Sequence, residues 1–180
     1  MAEFVDLCAQ GDLEGVRTAL QGGVDVNTKG RGGQTGLMQA LRERQTAVVK
    51  FLLWQAGVDV NISDRSDSTA LHYAVFHDET SEFLAILLSR SDLTILVNHK
   101  GVGGQTPLLR AVQYNAVRCV QVLISDNRTD PNIKDNDGDS PLMLAVKWNY
   151  VICVKLLLAD PRVDLMTRDN YQRSGKEVAR

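Results

Sequence analysis

Thr106-Pro107-Leu108-Leu109-Arg110-Ala111 decides the fold, because the chain writes this stretch repeatedly. Thr35-Gly36-Leu37-Met38-Gln39-Ala40 and Thr69-Ala70-Leu71-His72-Tyr73-Ala74 precede it. Ser140-Pro141-Leu142-Met143-Leu144-Ala145 follows it, and Ser174-Gly175-Lys176-Glu177-Val178-Ala179 is a weaker copy. The copies begin at 35, 69, 106, 140 and 174, so the intervals are 34, 37, 34 and 34 residues. A near-constant period of this size marks a solenoid, whose units bury their apolar faces against one another.

On either side of the six-residue box the same anatomy recurs. Gly33, Gly104 and Gly138 stand two residues before the Thr or Ser, where a tight turn needs positive φ. The Thr or Ser caps a short helix, and Pro107 and Pro141 take its first position. A second helix shows apolar residues at helical spacing: Val48, Val49, Phe51, Leu52 and Leu53 in one unit, Cys119, Val120, Val122, Leu123 and Ile124 in another. Asp25-Val26-Asn27, Asp59-Val60-Asn61 and Asp130-Pro131-Asn132 close their units with turn-forming chemistry. Stacking then predicts a core column of Leu37, Leu71, Leu108 and Leu142 beside a column of Ala40, Ala74, Ala111 and Ala145. Cys119 and Cys153 fall at equivalent sites on neighbouring second helices. Packed helices lie about 8–10 Å apart and a disulfide needs Cα atoms within about 7 Å, so both are expected as free core thiols.

The box, the apolar triplet Leu156-Leu157-Leu158 and the Asp-Val-Asn close resemble the ankyrin repeat signature over nearly the whole chain. The resemblance implies an all-α fold: an ankyrin-repeat solenoid of stacked helix-turn-helix units, with β-hairpin loops projecting as fingers. It reads residues 1–180 as one domain, with an N-terminal cap at 1–28 and repeats at about 30–61, 64–98, 101–132 and 135–166. Residues 169–180 make a partial C-terminal repeat, which fits either a piece of a longer protein or an abbreviated cap. Phe4 to Leu20 lack the box and keep the second half of a repeat, as a cap with a polar outer face does. Gly36 and Ala70 stand where the family uses proline. The unit from Asp64 to Asn98 carries extra residues around His77-Asp78-Glu79-Thr80 and in Ser89-Arg90-Ser91-Asp92-Leu93-Thr94, where the regular curvature of the stack is expected to be disturbed.

Composition excludes several classes of function. The 180 residues carry a net charge of -2, so the basic footprint of a nucleic-acid binder is missing. The apolar runs are too short to span a membrane, and the start, Met1-Ala2-Glu3-Phe4-Val5-Asp6-Leu7, lacks the charge and apolar pattern of a signal peptide. Cys8, Cys119 and Cys153 form no CxxC pair, which fits buried thiols in a reducing compartment, cytoplasmic or nuclear.

The chain offers little to chemistry. Asp135-Asn136-Asp137-Gly138-Asp139 starts like a calcium loop, but Ser140 and Val146 occupy the sixth and twelfth positions, which need Gly and Glu. Gly30-Arg31-Gly32-Gly33 and Gly101-Val102-Gly103-Gly104 match no phosphate-binding motif and read as finger tips. His72 fills the histidine slot of the box, where the resemblance implies a structural tie between turns. No nucleophile, base or metal-ligand arrangement emerges, so the expectation is a monomeric protein without enzymatic activity, metal or cofactor.

The same resemblance implies a binding surface made of the fingers and the exposed side of the first helices. Positions seven and eight after each box Thr or Ser hold Arg42-Glu43, Phe76-His77, Gln113-Tyr114 and Lys147-Trp148. Phe76, His77, Tyr114 and Trp148 are the candidate anchors for a protein partner, with Arg42, Gln113 and Lys147 as a polar rim. The alternative is that these aromatics pack on one another and cover the groove floor. The fingers add Arg31 and Gln34, Arg65 and Ser68, Val102 and Gln105, then Asn136 and Asp139, running from basic to acidic. The expected function is binding another protein as scaffold, adaptor or inhibitor. A second reading is a sensor for a small ligand of the nucleotide or oligoadenylate kind, using Lys147, Trp148 and Arg110. A third rests on Leu53-x5-Asp59-Val60-Asn61, which is similar to sites modified by an asparaginyl hydroxylase. Asn61 is then a hydroxylation candidate, against the simpler view that it braces its turn.

Overall fold

A computed structural model describes residues 3–76, 81–90, 94–168 and 170, with Phe76 through its backbone alone. The described residues form ten α-helices in five antiparallel pairs. The first members are α1 (Phe4–Gln10), α3 (Gly36–Arg42), α5 (Ala70–Phe76), α7 (Pro107–Gln113) and α9 (Pro141–Lys147). The second members are α2 (Leu13–Gln21), α4 (Thr46–Leu53), α6 (Glu82–Ser89), α8 (Val117–Ser125) and α10 (Val151–Ala159). First members pack on first members, α1 to α9, and second members on second members, α2 to α10, giving two layers.

The boxes start their helices as the sequence requires. Thr35, Thr106 and Ser140 each accept a hydrogen bond from the backbone N–H three residues on, at 3.3, 3.3 and 3.4 Å. Leu37, Leu71, Leu108 and Leu142 are buried, as are Ala40, Ala74, Ala111 and Ala145. Cys8, Cys119 and Cys153 are buried free thiols. Gly36 replaces proline for a packing reason. A Cβ there would lie 2.7 Å from the Cys8 Sγ and 2.9 Å from Phe4, so only glycine lets α1 approach α3 this closely.

The N-terminal unit differs from expectation. It is a complete helix pair, with α1 against α3 and α2 against α4. The missing box concealed this, because Glu3 precedes α1 without a side-chain capping bond. The fingers differ too. Among the described residues they contain no strand; an isolated antiparallel bridge joins Lys29 and Thr35. Each finger is a tight turn closed by two backbone bonds, for example Gly30 N–H to Gln34 at 2.8 Å with Gly33 N–H to Gly30 at 3.2 Å, and Asp64 N–H to Ser68 at 3.0 Å with Asp67 N–H to Asp64 at 3.1 Å. Positive φ falls on Gly32 and Gly33 in the first finger, Asp67 at φ 55° in the second, Gly103 and Gly104 in the third and Gly138 in the fourth.

Three sets of ties join neighbouring units. The closing asparagines form a ladder: Asn27 donates to the Gly57 carbonyl (2.8 Å) and accepts from Asp59 N–H (2.9 Å). Asn98 repeats this with Arg128 and Asp130 at 2.8 and 2.9 Å, and Asn132 with Arg162 and Asp164, both at 2.7 Å. Fingers bond sideways, Arg65 N–H to the Gly32 carbonyl and Asn136 N–H to that of Gly103, both 2.9 Å. Arginines from the following unit satisfy carbonyls at the ends of second helices, which otherwise lack partners. Arg90 reaches Leu53, Arg128 reaches Leu88 at 3.1 Å and Arg162 reaches Ile124 at 2.6 Å.

Candidate functional site

The first helices end at the positions singled out as a binding surface. Tyr114 and Trp148 are the residues that terminate α7 and α9, and 49% and 56% of their surfaces are exposed. They therefore occupy one register on adjacent helices with much of each ring open to solvent. Gln113 beside Tyr114 is exposed. Lys147 beside Trp148 reaches back 2.9 Å to the buried Asp139 carboxylate, whose hydrogen bond raises the ammonium's pKa. Arg42 is exposed and paired with Glu43 at 2.9 Å. Arg31 and Arg65 are exposed on the first two fingers. The Phe76 side chain and His77 lie outside the described residues, as do Ser91, Asp92 and nearly all of the partial repeat at 169–180.

Several finger residues do structural work instead. Ser68 and Asp139 are buried and Gln34 half-buried. Asp64 Oδ1 accepts from Ser66 and Ser68 N–H at 2.8 and 2.9 Å, and Asp135 Oδ1 accepts from Asp137 and Asp139 N–H at 3.0 and 2.9 Å. These aspartates hold the second and fourth turns in the way an Asx-turn does. The acidic fourth finger is thus a buttressed turn, with Lys147 neutralising Asp139. Of the residues considered for a small-ligand sensor, Arg110 lines the cleft beside Tyr73, and the Lys147 ammonium is committed to Asp139. Asn61 donates to the Thr94 carbonyl and accepts from Leu96 N–H at 2.9 Å, bracing the next unit.

His72 is fully buried and ties two units. Its Nδ1 accepts from Thr69 N–H at 3.1 Å, so the proton sits on Nε2, which donates to the Gln105 carbonyl at 3.0 Å. Burial lowers its pKa to about 4.

One arrangement escaped the sequence reading. Gln39 donates to Gln34 (2.6 Å), Gln34 to Tyr73 (2.8 Å) and Tyr73 to Asp64 (2.6 Å), so a chain of donors runs across two units and ends on a carboxylate. Burial, and then the bond to Asp64, raise the Tyr73 pKa to about 12. A cleft of about 250 Å³ opens beside this chain, with Arg42 and Arg110 among its walls. The signal was present at the fifth box position, which holds Gln39, Tyr73, Arg110 and then Leu144. Three polar residues in a column flanked by buried leucines and alanines mark a side facing away from the core.

Stacked helix pairs with side-by-side fingers define a repeat solenoid. The family model for ankyrin repeats, in three copies, matches residues 4–96 and 87–169, and the chain belongs to that family. Ankyrin repeats generally mediate protein–protein interaction, and the fold is typically a binding module without catalytic activity. A probable E3 ubiquitin-protein ligase XBOS32 from Oryza sativa subsp. japonica is 28% identical over 142 residues, covering 64% of this chain and 29% of that protein. The chain thus spans under a third of that curated relative. The crystal structure of EF0377, an ankyrin repeat protein, superposes with a TM-score of 0.87 at 24% identity, over 99% of this chain and 92% of that one. A chain from the complex of the Bd0816 predatory endopeptidase of Bdellovibrio bacteriovorus with immunity protein Bd3460 gives 0.79 at 24%, over 99% and 91%. At these identities the structural likenesses establish the fold alone. Among the described residues no helix is long and apolar enough to cross a membrane.

Proposed function

We propose that this protein binds another protein across the surface formed by the ends of its first helices and by its fingers, acting as a scaffold, adaptor or inhibitor. The whole chain then serves as one domain, with residues 1–28 as its cap. The observation that carries the reading is the pair Tyr114 and Trp148, large aromatics half open to solvent in one register on adjacent helices. Such rings offer wide apolar area at little entropic cost, and they dominate interface energetics. Gln113 and Arg42 supply a polar rim, and Arg31 and Arg65 project at the fingers. A nucleotide held at Trp148 fits less well, because Lys147 is already committed to Asp139.

The test is the double substitution Tyr114→Ala with Trp148→Ala. A partner cross-linked to the wild-type protein in lysate is expected to lose about thirtyfold or more in affinity for the double variant. The helical circular dichroism signal is expected to stay intact. A variant that unfolds shows the rings to be core, and a folded variant that still binds moves the partner to another surface.

A further inference from the structure

We propose that the cleft between Arg42 and Arg110 seats a carboxylate side chain, Asp or Glu, presented by the bound protein. The inference rests on the reading of this layer as the partner surface and adds what that partner must carry. The cleft is about 250 Å³ and is walled by Arg42 from α3, Tyr73 from α5, Arg110 from α7, and Ser66 and Ser68 of the second finger. That space admits one acidic side chain.

Most of the polar groups around it are already committed. The Tyr73 hydroxyl donates to Asp64 at 2.6 Å and accepts from Gln34 at 2.8 Å. Both Asp64 oxygens are occupied, by the Ser66 and Ser68 N–H groups and by Tyr73. Arg110 stands apart. Its guanidinium has one long contact, 3.5 Å to the Ser68 hydroxyl, and its buried Nε has no acceptor. No carboxylate among the described residues pairs with it. Buried polar groups in folded proteins are nearly always satisfied, and a guanidinium lacking acceptors points to an anion that arrives from outside. Its positive field is felt locally: Arg110 contributes to lowering the His72 pKa, and Arg42 draws down that of Tyr73 against the larger effect of burial.

Arg42 can turn to the same anion, because its bond to Glu43 lies on an exposed surface where ion pairs exchange at little cost. A carboxylate suits the cleft better than a phosphate for two reasons. The guanidinium fork matches a planar carboxylate in a two-bond arrangement. The Asp64 carboxylate in the wall repels a dianion about twice as strongly as a monoanion.

The experiment uses the full chain labelled with 15N, and follows the Arg110 Nε–Hε resonance and the Ser66 and Ser68 amides. Four probes are titrated: an acetylated pentapeptide with a central Glu, its Gln and phosphoserine counterparts, and sodium acetate. The Glu peptide is expected to shift these resonances with an affinity about tenfold above the Gln peptide, and the response is expected to vanish in Arg110→Gln and weaken in Arg42→Gln. Equal titration by the Glu and Gln peptides overturns the proposal. Tighter binding of the phosphoserine peptide overturns it in favour of a phosphate site. Acetate acting as strongly as the peptide reduces the cleft to a small-anion site and overturns the assignment to a protein partner. The outcome is separable from the aromatic reading. If Tyr114→Ala with Trp148→Ala still captures the partner, that reading fails while the titration still judges the cleft. If the double variant loses the partner, Arg110→Gln retains it and the Glu peptide is silent, the cleft alone falls.

Discussion

Acidification is expected to loosen this solenoid through one side chain, His72. The ring is fully buried. Its Nδ1 accepts a backbone N–H and its Nε2 donates to a backbone carbonyl, so the neutral form satisfies both neighbours. A second proton on Nδ1 would face the Thr69 N–H, donor against donor, in a site with little water. The pKa is accordingly lowered from 6.5 to about 4, chiefly by burial and further by Arg110 and His99. As the pH falls, the unfolded chain therefore takes up its proton first, and stability is constant above about 6.5 and declines below it. For these two values the loss is about 2 kcal/mol at pH 5 and roughly 3 kcal/mol below pH 4. Asp126, Asp160 and Asp164 have pKa values lowered beneath 3.8, so their stabilisation disappears at more acid pH, while burial raises the Asp135 pKa, so that carboxyl takes up its proton first in the folded chain and opposes the loss. Urea unfolding followed by circular dichroism at pH 7.5 and pH 5.0 measures the loss. His72→Gln is expected to be less stable at pH 7.5, where it forfeits the ties to Thr69 and Gln105, but nearly indifferent to the change of pH. If wild type and variant lose the same free energy between the two conditions, the histidine is not responsible and the argument fails.

Two further substitutions probe the ties between units. Arg162→Ala removes donors to the Ile124 and Thr129 carbonyls, at 2.6 and 3.0 Å, and leaves Asp160 without its ion pair, holding only the backbone N–H of residue 162. It is expected to cost about 1–3 kcal/mol, seen first as faster amide exchange in α10 and not in α3, because solenoid stability is a sum of local interfaces. Gly36→Ala places a methyl 2.7 Å from the Cys8 Sγ and is expected to cost about 1–3 kcal/mol in thermal or urea unfolding. Unchanged stability there would mean that α1 does not rest on α3 as described.

What the sequence revealed is what repeats. Thr35, Thr106 and Ser140 recur with their glycines and apolar runs, so caps, columns and helix order could be read from one register. The N-terminal pair was half seen because α1 begins at Glu3 with no box and no capping side chain. Finger residues were misjudged where a polar side chain faces its own turn: Ser68 and Asp139 look like surface chemistry, yet both are buried. Arg42 and Arg110 stand in different units, far apart along the chain, and only the packing of α3, α5 and α7 brings them to one cleft. Tyr114 and Trp148 were legible as a pair because each lies eight residues after the Thr or Ser that opens its box.

The irregular second unit shows how the stack separates binding from support. Thr69 to Phe83 is one residue longer than Thr106 to Cys119, and Leu87 to Asn98 is two longer than Leu123 to Asn132. The surplus therefore lies in the two connections flanking α6, as the sequence implied. The ties survive it. Asn61 still bridges to Thr94 and Leu96, and Asn98 still bridges to Arg128 and Asp130. The arginine clamp survives by a change of residue. Arg128 and Arg162 each precede the end of their unit by four positions, where the second unit has Thr94. Arg90, placed before the extra residues, caps the Leu53 carbonyl instead, the equivalent of Leu88 and Ile124. What must be kept is the bond between units, and either position in the chain can supply it. The first helices are under a different constraint: their leucine and alanine columns are buried, while the fifth box position is free to be Gln39, Tyr73, Arg110 or Leu144. Variation in chemistry thus collects on the first-helix layer, and variation in length collects in the loops around the outer helix, where the cross-ties absorb it.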